Sequence, residues 1–193
     1  VKYAEQYMPD MLSNLSSCKS PQQMLGALVK HAMPEQIGIA REDLVCVSIM
    51  PCTAKKFEAK RPEMAKDGVP DVDHVITTQE LGRMIEEAGL NLADLQPQSF
   101  DMPMGFKTGA GVIFGNTGGV TEAALRYAVE KITGEPLKNV DFVQVRGEEG
   151  IRTADFQVKG IDVKVAIVHG LRNARTVAER IRKGEMQVDF VEV

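Results

Sequence analysis

Within Met50-Pro51-Cys52-Thr53-Ala54-Lys55-Lys56-Phe57-Glu58, one thiol, two ammonium groups and a carboxylate follow directly on an apolar run, Leu44 to Met50. Cys52 is open to three chemistries: an inert buried thiol, a nucleophile or a metal ligand. The thiolate is the form that attacks or ligates, and the charges of Lys55 and Lys56 favour it. No second cysteine lies within local reach, so neighbouring residues alone do not complete a metal site. Glu58 can handle a proton, or it can pair with a lysine or a helix end. Without further context Lys55 and Lys56 read as a solvated face, and Ser16 as a loop hydroxyl near a helix cap. The glycines from Gly109 to Gly119 can cradle an anion at a helix N-terminus. They lack the Lys-Ser/Thr ending of a P-loop and the spacing of a dinucleotide fingerprint, so turn formation is the simpler role. His31, His74 and His169 show no metal-ligand spacing.

The elements that must position these groups read as strands and helices in alternation. Leu44 to Met50 is apolar on both faces apart from Ser48, the pattern of a central parallel strand. Pro51 cannot donate to a ladder, so the chain leaves the sheet and puts Cys52 at a strand's carboxyl end, where α/β proteins form ligand crevices. Upstream, Val1 to Met8 reads as a short helix closed by Pro9. Ser20-Pro21-Gln22-Gln23 then signals a helix start, with Met24, Leu25, Leu28, Val29 and Ala32 as its apolar face and a stop before Pro34. Phe57 to Asp73 reads as an exposed excursion. His74 to Thr77 reads as a strand, Thr77 with Glu80 as a capping box, and Leu81, Met84, Ile85 and Ala88 as a buried helix face ending at Gly89.

The second half repeats this grammar. Val112-Ile113-Phe114 reads as a strand leading through Gly115 to Gly119 into a helix closed by Gly134, and Phe142 to Arg146 as another strand. The alternations Ala154, Phe156, Val158 and Ile161, Val163, Val165, Ile167 predict a hairpin. Val163 to His169 then leads through Gly170 into a helix carrying Leu171, Ala174, Val177, Ala178 and Ile181, and Val188 to Val193 is strand-like. The expected fold is α/β, with a mixed, largely parallel sheet flanked by helices and one antiparallel hairpin.

With 193 residues the chain is long enough for a core and is most simply one domain. A net charge of −4, no basic block, 5 % aromatic residues and no Trp argue against nucleic-acid binding. No stretch approaches the roughly 20 apolar residues that span a bilayer, which argues against a membrane partner. Cys18, Cys46 and Cys52 are an odd set without a C-x-x-C pair, so reduced thiols and a cytoplasmic location are expected. The chain begins at Val1 and stops inside a strand-like segment, which reads as a piece of something longer, prone to self-associate through an unpaired edge.

The motif Met50-Pro51-Cys52-x-x-Lys55-x-x-Glu58 resembles the second signature of the iron-only (FeFe) hydrogenases. Asn14 to Gln23, Val75 to Leu81, Gly109 to Gly115 and Gly118 to Arg126 are similar to that family in the same order. The resemblance covers the whole chain and implies a single partial domain over residues 1–193, internal to the catalytic domain. It implies an H-cluster in the parent, a four-iron four-sulfur cubane joined to a di-iron unit with CO, cyanide and dithiolate. Cys52 would then be one of four cubane ligands, and Lys55 a donor to an iron-bound cyanide. Met50 and Phe114 would pack around the di-iron unit, Ser20, Pro21 and Gln22 would line its pocket, and Ser16 would belong to the proton relay. Protons, dihydrogen and a ferredoxin or NAD(P)-linked electron-transfer partner follow from the same resemblance.

The departures bear on activity. The family's first and third cysteine signatures have no counterpart in this chain, and Cys18 and Cys46 do not match ligand positions. No bound cluster and no activity are therefore expected for the chain alone. Two other readings stand beside this one: a non-catalytic hydrogenase-like protein of iron–sulfur assembly or prelamin-binding type, and a small-anion binding module built on Gly115 to Gly119.

Overall fold

The structure, a computed structural model, describes residues 1–102, 104–106, 108–135, 149–158 and 160–193. It divides into two units, Val1–Pro103 and Met104–Val193. The strand expected over Phe142 to Arg146 lies outside the described residues. Among the described residues no helix is long and apolar enough to cross a membrane.

In the first unit α1 (Lys2–Tyr7) gives way at Pro9 to a 3-10 turn, Pro9–Asn14, as proline at a first helical position favours. The next helix, α2 (Pro21–Ile37), starts where expected, with the Ser20 hydroxyl accepting the Gln23 N–H at 3.3 Å. Two expectations about it are corrected. It runs through Pro34, because a proline this close to the C-terminus removes only one intrahelical bond, and Gly38, at φ 72°, closes the helix instead. Its buried face is Gln23, Gly26, Lys30 and Pro34, whereas Met24, Leu25 and Leu28 are 47 %, 58 % and 49 % exposed. The reason lies in what meets that face. A Cβ on Gly26 would stand 2.6 Å from the Val72 side chain and 2.7 Å from the Asp71 carbonyl oxygen, so helix and loop touch backbone to backbone. One turn on, the Lys30 ammonium, with no exposed side-chain surface, meets Asp73 at 2.8 Å and donates to the Leu44 carbonyl.

The strand before Cys52 is shorter and more open than its apolar run suggests. β1 (Val47–Ile49) and β4 (His74–Ile76) pair in parallel, Val47 opposite His74 and Ile49 opposite Ile76. Ser48 and Val75 face inward, but Val47 and Ile49 are 50 % and 54 % exposed, so only one face of this two-stranded sheet is covered. Between the strands come α3 (Ala54–Glu58) and a small hairpin, β2 (Ala65–Lys66) with β3 (Val69–Pro70), turned through Asp67 and Gly68 at positive φ. The segment expected to be an exposed excursion ends inside: Asp71 and Val72 are buried, and the Asp71 carboxylate holds Arg41 at 2.7 Å and Lys19. Helix α4 (Thr78–Glu87) carries the predicted capping box, Glu80 N–H to Thr77 Oγ1 at 3.1 Å and Thr77 N–H to Glu80 Oε2 at 2.7 Å.

The second unit holds α5 (Gly109–Ile113), α6 (Gly119–Thr133), β5 (Ile151–Val158), β6 (Ile161–Val168), α7 (Leu171–Arg182) and β7 (Phe190–Glu192). The predicted hairpin forms between β5 and β6, and β7 joins β6 in parallel, so β6–α7–β7 is a strand–helix–strand crossover. Ile151, Ala166, Val168 and Val177 form its core, with Ala174, Ile181 and Val191 packed against it. Val112-Ile113-Phe114 is the end of a helix rather than a strand. An apolar run that short fits either period, and here α5 packs on α6 so tightly that a Cβ on Gly119 would overlap the Ile113 carbonyl oxygen. The α/β class with parallel pairing and an antiparallel hairpin stands. The parallel pairs lie in separate sheets, and β2–β3 is a second hairpin.

Candidate functional site

The site begins where β1 stops. Met50 extends the ladder by one bond, its N–H donating to the Ile76 carbonyl at 3.0 Å, and Pro51 ends it for want of a donor. Cys52 is exposed at this carboxyl end, and its carbonyl accepts the Lys55 N–H at 3.2 Å to start α3. Two adjacent helical residues point about 100° apart, and the lysines diverge accordingly. Lys56 goes to α4, its ammonium 2.9 and 2.7 Å from the Glu80 carboxylate oxygens. Lys55 stays with its own helix, 3.2 and 3.1 Å from the Glu58 oxygens.

Glu58 then reaches across to α2, accepting the Ser20 hydroxyl at 2.9 Å, while Gln22 Oε1 accepts the Ser48 hydroxyl from β1 at 2.9 Å. Ser20, Gln22, Lys55 and Glu58 are thus brought together beside the strand that delivers Met50 and Cys52. Lys55 has three donors, and Glu58 does not exhaust them. The buried Gln22 Nε2 has no hydrogen-bond partner among the described residues. Pro21 is exposed at the first position of α2. Ser16 is exposed on the preceding loop, where its hydroxyl accepts the Cys18 N–H at 3.1 Å. Phe114 belongs to the second unit, 40 % exposed at the end of α5. A cleft of about 400 Å³ is lined by Pro51 and Thr53 from the Cys52 loop and by Thr77 and Arg83 among others.

Electrostatics separates the two ends of β1. At the Cys52 end, hydrogen bonds from the Lys56 ammonium and the Thr77 amide hold the Glu80 carboxyl below its usual range. At the other end burial disfavours the Asp73 carboxylate, but hydrogen bonds from Lys30 and from the Cys46 amide outweigh it and lower its pKa. The Cys46 thiol is pushed up, first by burial and then by the Asp73 charge. Cys46 is therefore kept neutral where Cys52 stands open.

Two participants escaped sequence reasoning. Ser48 was visible as the one hydroxyl in an apolar run, and that was its signal. Lys30 carries a signal only in combination: with Gln23 and Gly26 it makes a polar stripe at helical spacing, competing with a more hydrophobic stripe beside it. The anion cradle is corrected by an internal group. The Glu192 carboxylate accepts the Gly118 and Thr121 N–H groups, each at 2.9 Å, and the Thr121 hydroxyl, filling the place an anion would take at the start of α6.

The chain as a whole has relatives among known proteins. Residues 1–193 match the family described as iron only hydrogenase large subunit, C-terminal domain. The chain belongs to this family. It is 49 % identical over 185 residues to the NADP-reducing hydrogenase subunit HndD of Solidesulfovibrio fructosivorans, covering 96 % of this chain and 32 % of that one. The apo [FeFe]-hydrogenase HydA1 variant C377H from Chlamydomonas reinhardtii is similar in structure, with a TM-score of 0.82 at 41 % identity over 98 % of this chain and 55 % of that one. More distant is the cytosolic Fe-S cluster assembly factor narfl of Xenopus tropicalis, 33 % identical over 95 % of this chain and 40 % of its own length. This hydrogenase-family chain thus spans about a third to just over half the length of the proteins it matches.

A four-iron cubane needs four protein donors of thiolate character. Among the described residues no three His, Cys, Asp or Glu side chains converge on a point where a metal could sit. Cys52 is exposed on its loop, Cys18 is bonded through its amide to Ser16, and Cys46 is tied through its amide to Asp73 at 2.6 Å. The residues present do not fit the complete group; they offer one exposed cysteine at the strand end and a polar wall.

Proposed function

We propose that this chain is the part of an iron-only hydrogenase catalytic domain that contributes one cluster thiolate, Cys52, and the wall beside it. The observation that carries the reading is the Glu58 carboxylate, which holds Lys55 on one side and the Ser20 cap of α2 on the other while Cys52 leaves the sheet. That arrangement holds an ammonium on the helix that follows the Cys52 loop, at the carboxyl end of parallel strands. Gln22, whose amide nitrogen has no partner among the described residues, and Pro21 belong to the same wall, Met50 is its apolar member, Ser16 is the relay hydroxyl, and Phe114 is assigned to the cofactor by the family resemblance alone. Both units form one catalytic domain in this reading. The parent protein interconverts protons plus electrons and dihydrogen in the cytoplasm, with a ferredoxin or an NAD(P)-linked subunit as electron partner. The similarity to an NADP-reducing hydrogenase subunit supports that partner class.

A non-catalytic role of iron–sulfur assembly type draws support from the 33 % identical relative, against 49 % for the hydrogenase subunit. Hydrogen evolution from a reduced viologen separates the two. The parent protein, matured with its cluster, should evolve hydrogen, and Cys52→Ala should abolish it. The 193-residue chain alone should give no turnover above its own Cys52→Ala control. A matured parent without turnover would favour the assembly role, and full activity in the parent Cys52→Ala variant would overturn the assignment of Cys52.

A further inference from the structure

Helix α3 follows directly on Cys52, yet little in its own composition holds it in place. It is five residues long, where an isolated helix needs about 12–15 to persist in water, and none of its residues is buried. Among the described residues Thr53 gives it no side-chain cap. Its first turn nevertheless sets the Cys52 loop, because the Lys55 and Lys56 amides donate to the Cys52 and Thr53 carbonyls at 3.2 and 3.1 Å. Three ties reach α3 from other elements. The Lys2 ammonium, on a helix that itself buries nothing, lies 3.7 Å from the centre of the Phe57 ring. The Ser20 hydroxyl meets Glu58, the last residue of α3, at 2.9 Å. The Glu80 carboxylate takes Lys56, within the first turn and at the residue whose amide holds the Thr53 carbonyl.

We infer that Glu80 is a positioning residue for the Cys52 loop: through Lys56 it holds the first turn of α3 at the sheet end from which Cys52 departs. The carboxylate that Lys56 meets is itself fixed. Its Oε2 accepts the Thr77 N–H at 2.7 Å, and the Glu80 N–H donates to the Thr77 hydroxyl at 3.1 Å, which anchors the group where β4 turns into α4. Strand β4 is paired in turn with β1, whose ladder ends at Met50. A carboxylate already ordered by a capping box loses less rotamer freedom when it takes a second partner. An exposed ion pair adds little to the stability of a fold. Here the fold is not what depends on it; the pair decides where five lightly held residues stand. Its bearing on turnover rests on the hydrogenase reading above, whereas its hold on the loop does not.

The test is millisecond hydrogen exchange of the 193-residue chain, corrected for intrinsic rates and read at the amides of residues 55 and 56, which report the loop directly. Lys56→Met leaves the capping box intact and should speed exchange there about two- to fivefold, as the loss of one exposed ion pair allows. Glu80→Gln keeps a side chain that serves in a capping box but removes the charge, and should act in the same direction. Lys56→Arg should restore the wild-type rates, and salt near 1 M, where the Debye length is about 3 Å, should bring wild type toward Lys56→Met. Amides of α4 should exchange in Lys56→Met as in wild type. Unchanged exchange at residues 55 and 56 in both Lys56→Met and Glu80→Gln would overturn the inference. So would acceleration throughout the first unit, which marks a general loss of stability. In the matured parent, Lys56→Met should lower kcat for hydrogen evolution by about the same factor, with Lys56→Arg restoring it. Unchanged turnover beside a loosened loop would overturn the bearing on turnover. A wild-type parent without turnover would count against the hydrogenase reading, and exchange alone would then decide the positioning role.

Discussion

Helix α7 is seated on parallel strands and helix α2 on the loop that leads into one, and the two are held by opposite means. Helix α7 buries Val177 to 1 % exposure against Ile151, Ala166 and Val168, with its charges turned outward. Helix α2 buries a lysine, a glutamine and a glycine and turns Met24, Leu25 and Leu28 outward. Apolar packing tolerates small slides, because its energy follows area removed from water and has no direction. A charge-assisted bond to Asp73, a backbone contact at Gly26 and a hydroxyl bond from Ser48 to Gln22 fix rotation and register together. The helix that carries Ser20 to Glu58 and Gln22 to Ser48 is the one held by directional bonds.

The largest test of this contrast is Asp73→Asn. It leaves the Lys30 ammonium buried without a counter-charge, with the Leu44 carbonyl and a neutral amide oxygen as its only acceptors among the described residues, and removing one member of a buried pair costs roughly 3–5 kcal/mol. Urea denaturation should show a loss of that size. The pH dependence follows from the lowered pKa of Asp73. On acidification the unfolded chain binds this proton first, so the contribution is complete above the ordinary aspartate range of about 4 and is lost as pH falls through the folded value. The gap between wild type and Asp73→Asn should therefore narrow toward low pH. A gap that stays constant or widens would mean that Lys30 and Asp73 are not the bonds that seat α2.

The matching test on α7 is Val177→Ala. Two buried carbon atoms at about 0.8 kcal/mol each, with a cavity term added, predict a loss of about 2 kcal/mol. No part of that loss should depend on pH between about 4 and 8, since no charge is uncovered. A strong pH dependence would dissolve the distinction between the two helices.

Legibility in the sequence follows the same division. Helix α7, its glycine entry, the β5–β6 hairpin and the capping box of α4 could all be read, because periodicity and local cap chemistry determine them within a few residues. The entry of α2 at Ser20 was readable for the same reason. Its buried face was not, since Lys30, Asp73 and Gly26 meet partners many positions away, and hydropathy ranks Leu25 and Leu28 above them. Val112 to Phe114 was misread because three apolar residues carry no period. At the site, the exit of Cys52 at Pro51 was visible from the chain alone. The separate assignments of Lys55 to Glu58 and Lys56 to Glu80 needed the fold, because they depend on where α4 stands.

The smallest expected effect is the sharpest check on α2. Leu25 and Leu28 are the residues that periodicity assigns to the core, and the structure leaves them 58 % and 49 % exposed. Leu25→Gln combined with Leu28→Gln should change stability by no more than about 0.5 kcal/mol per site, as for ordinary surface positions. If the helix were instead seated on its aliphatic face, each substitution would cost about 2 kcal/mol or more, so one denaturation curve decides between the two seats. The same pair bears on association. Exposed apolar side chains on α2, with Val47 and Ile49 on β1, favour contact between copies of this chain. Sedimentation velocity should show less self-association in the double variant than in the wild type. An unchanged distribution would move the responsible surface to the sheet edge at Phe190 in β7, which among the described residues pairs with β6 alone.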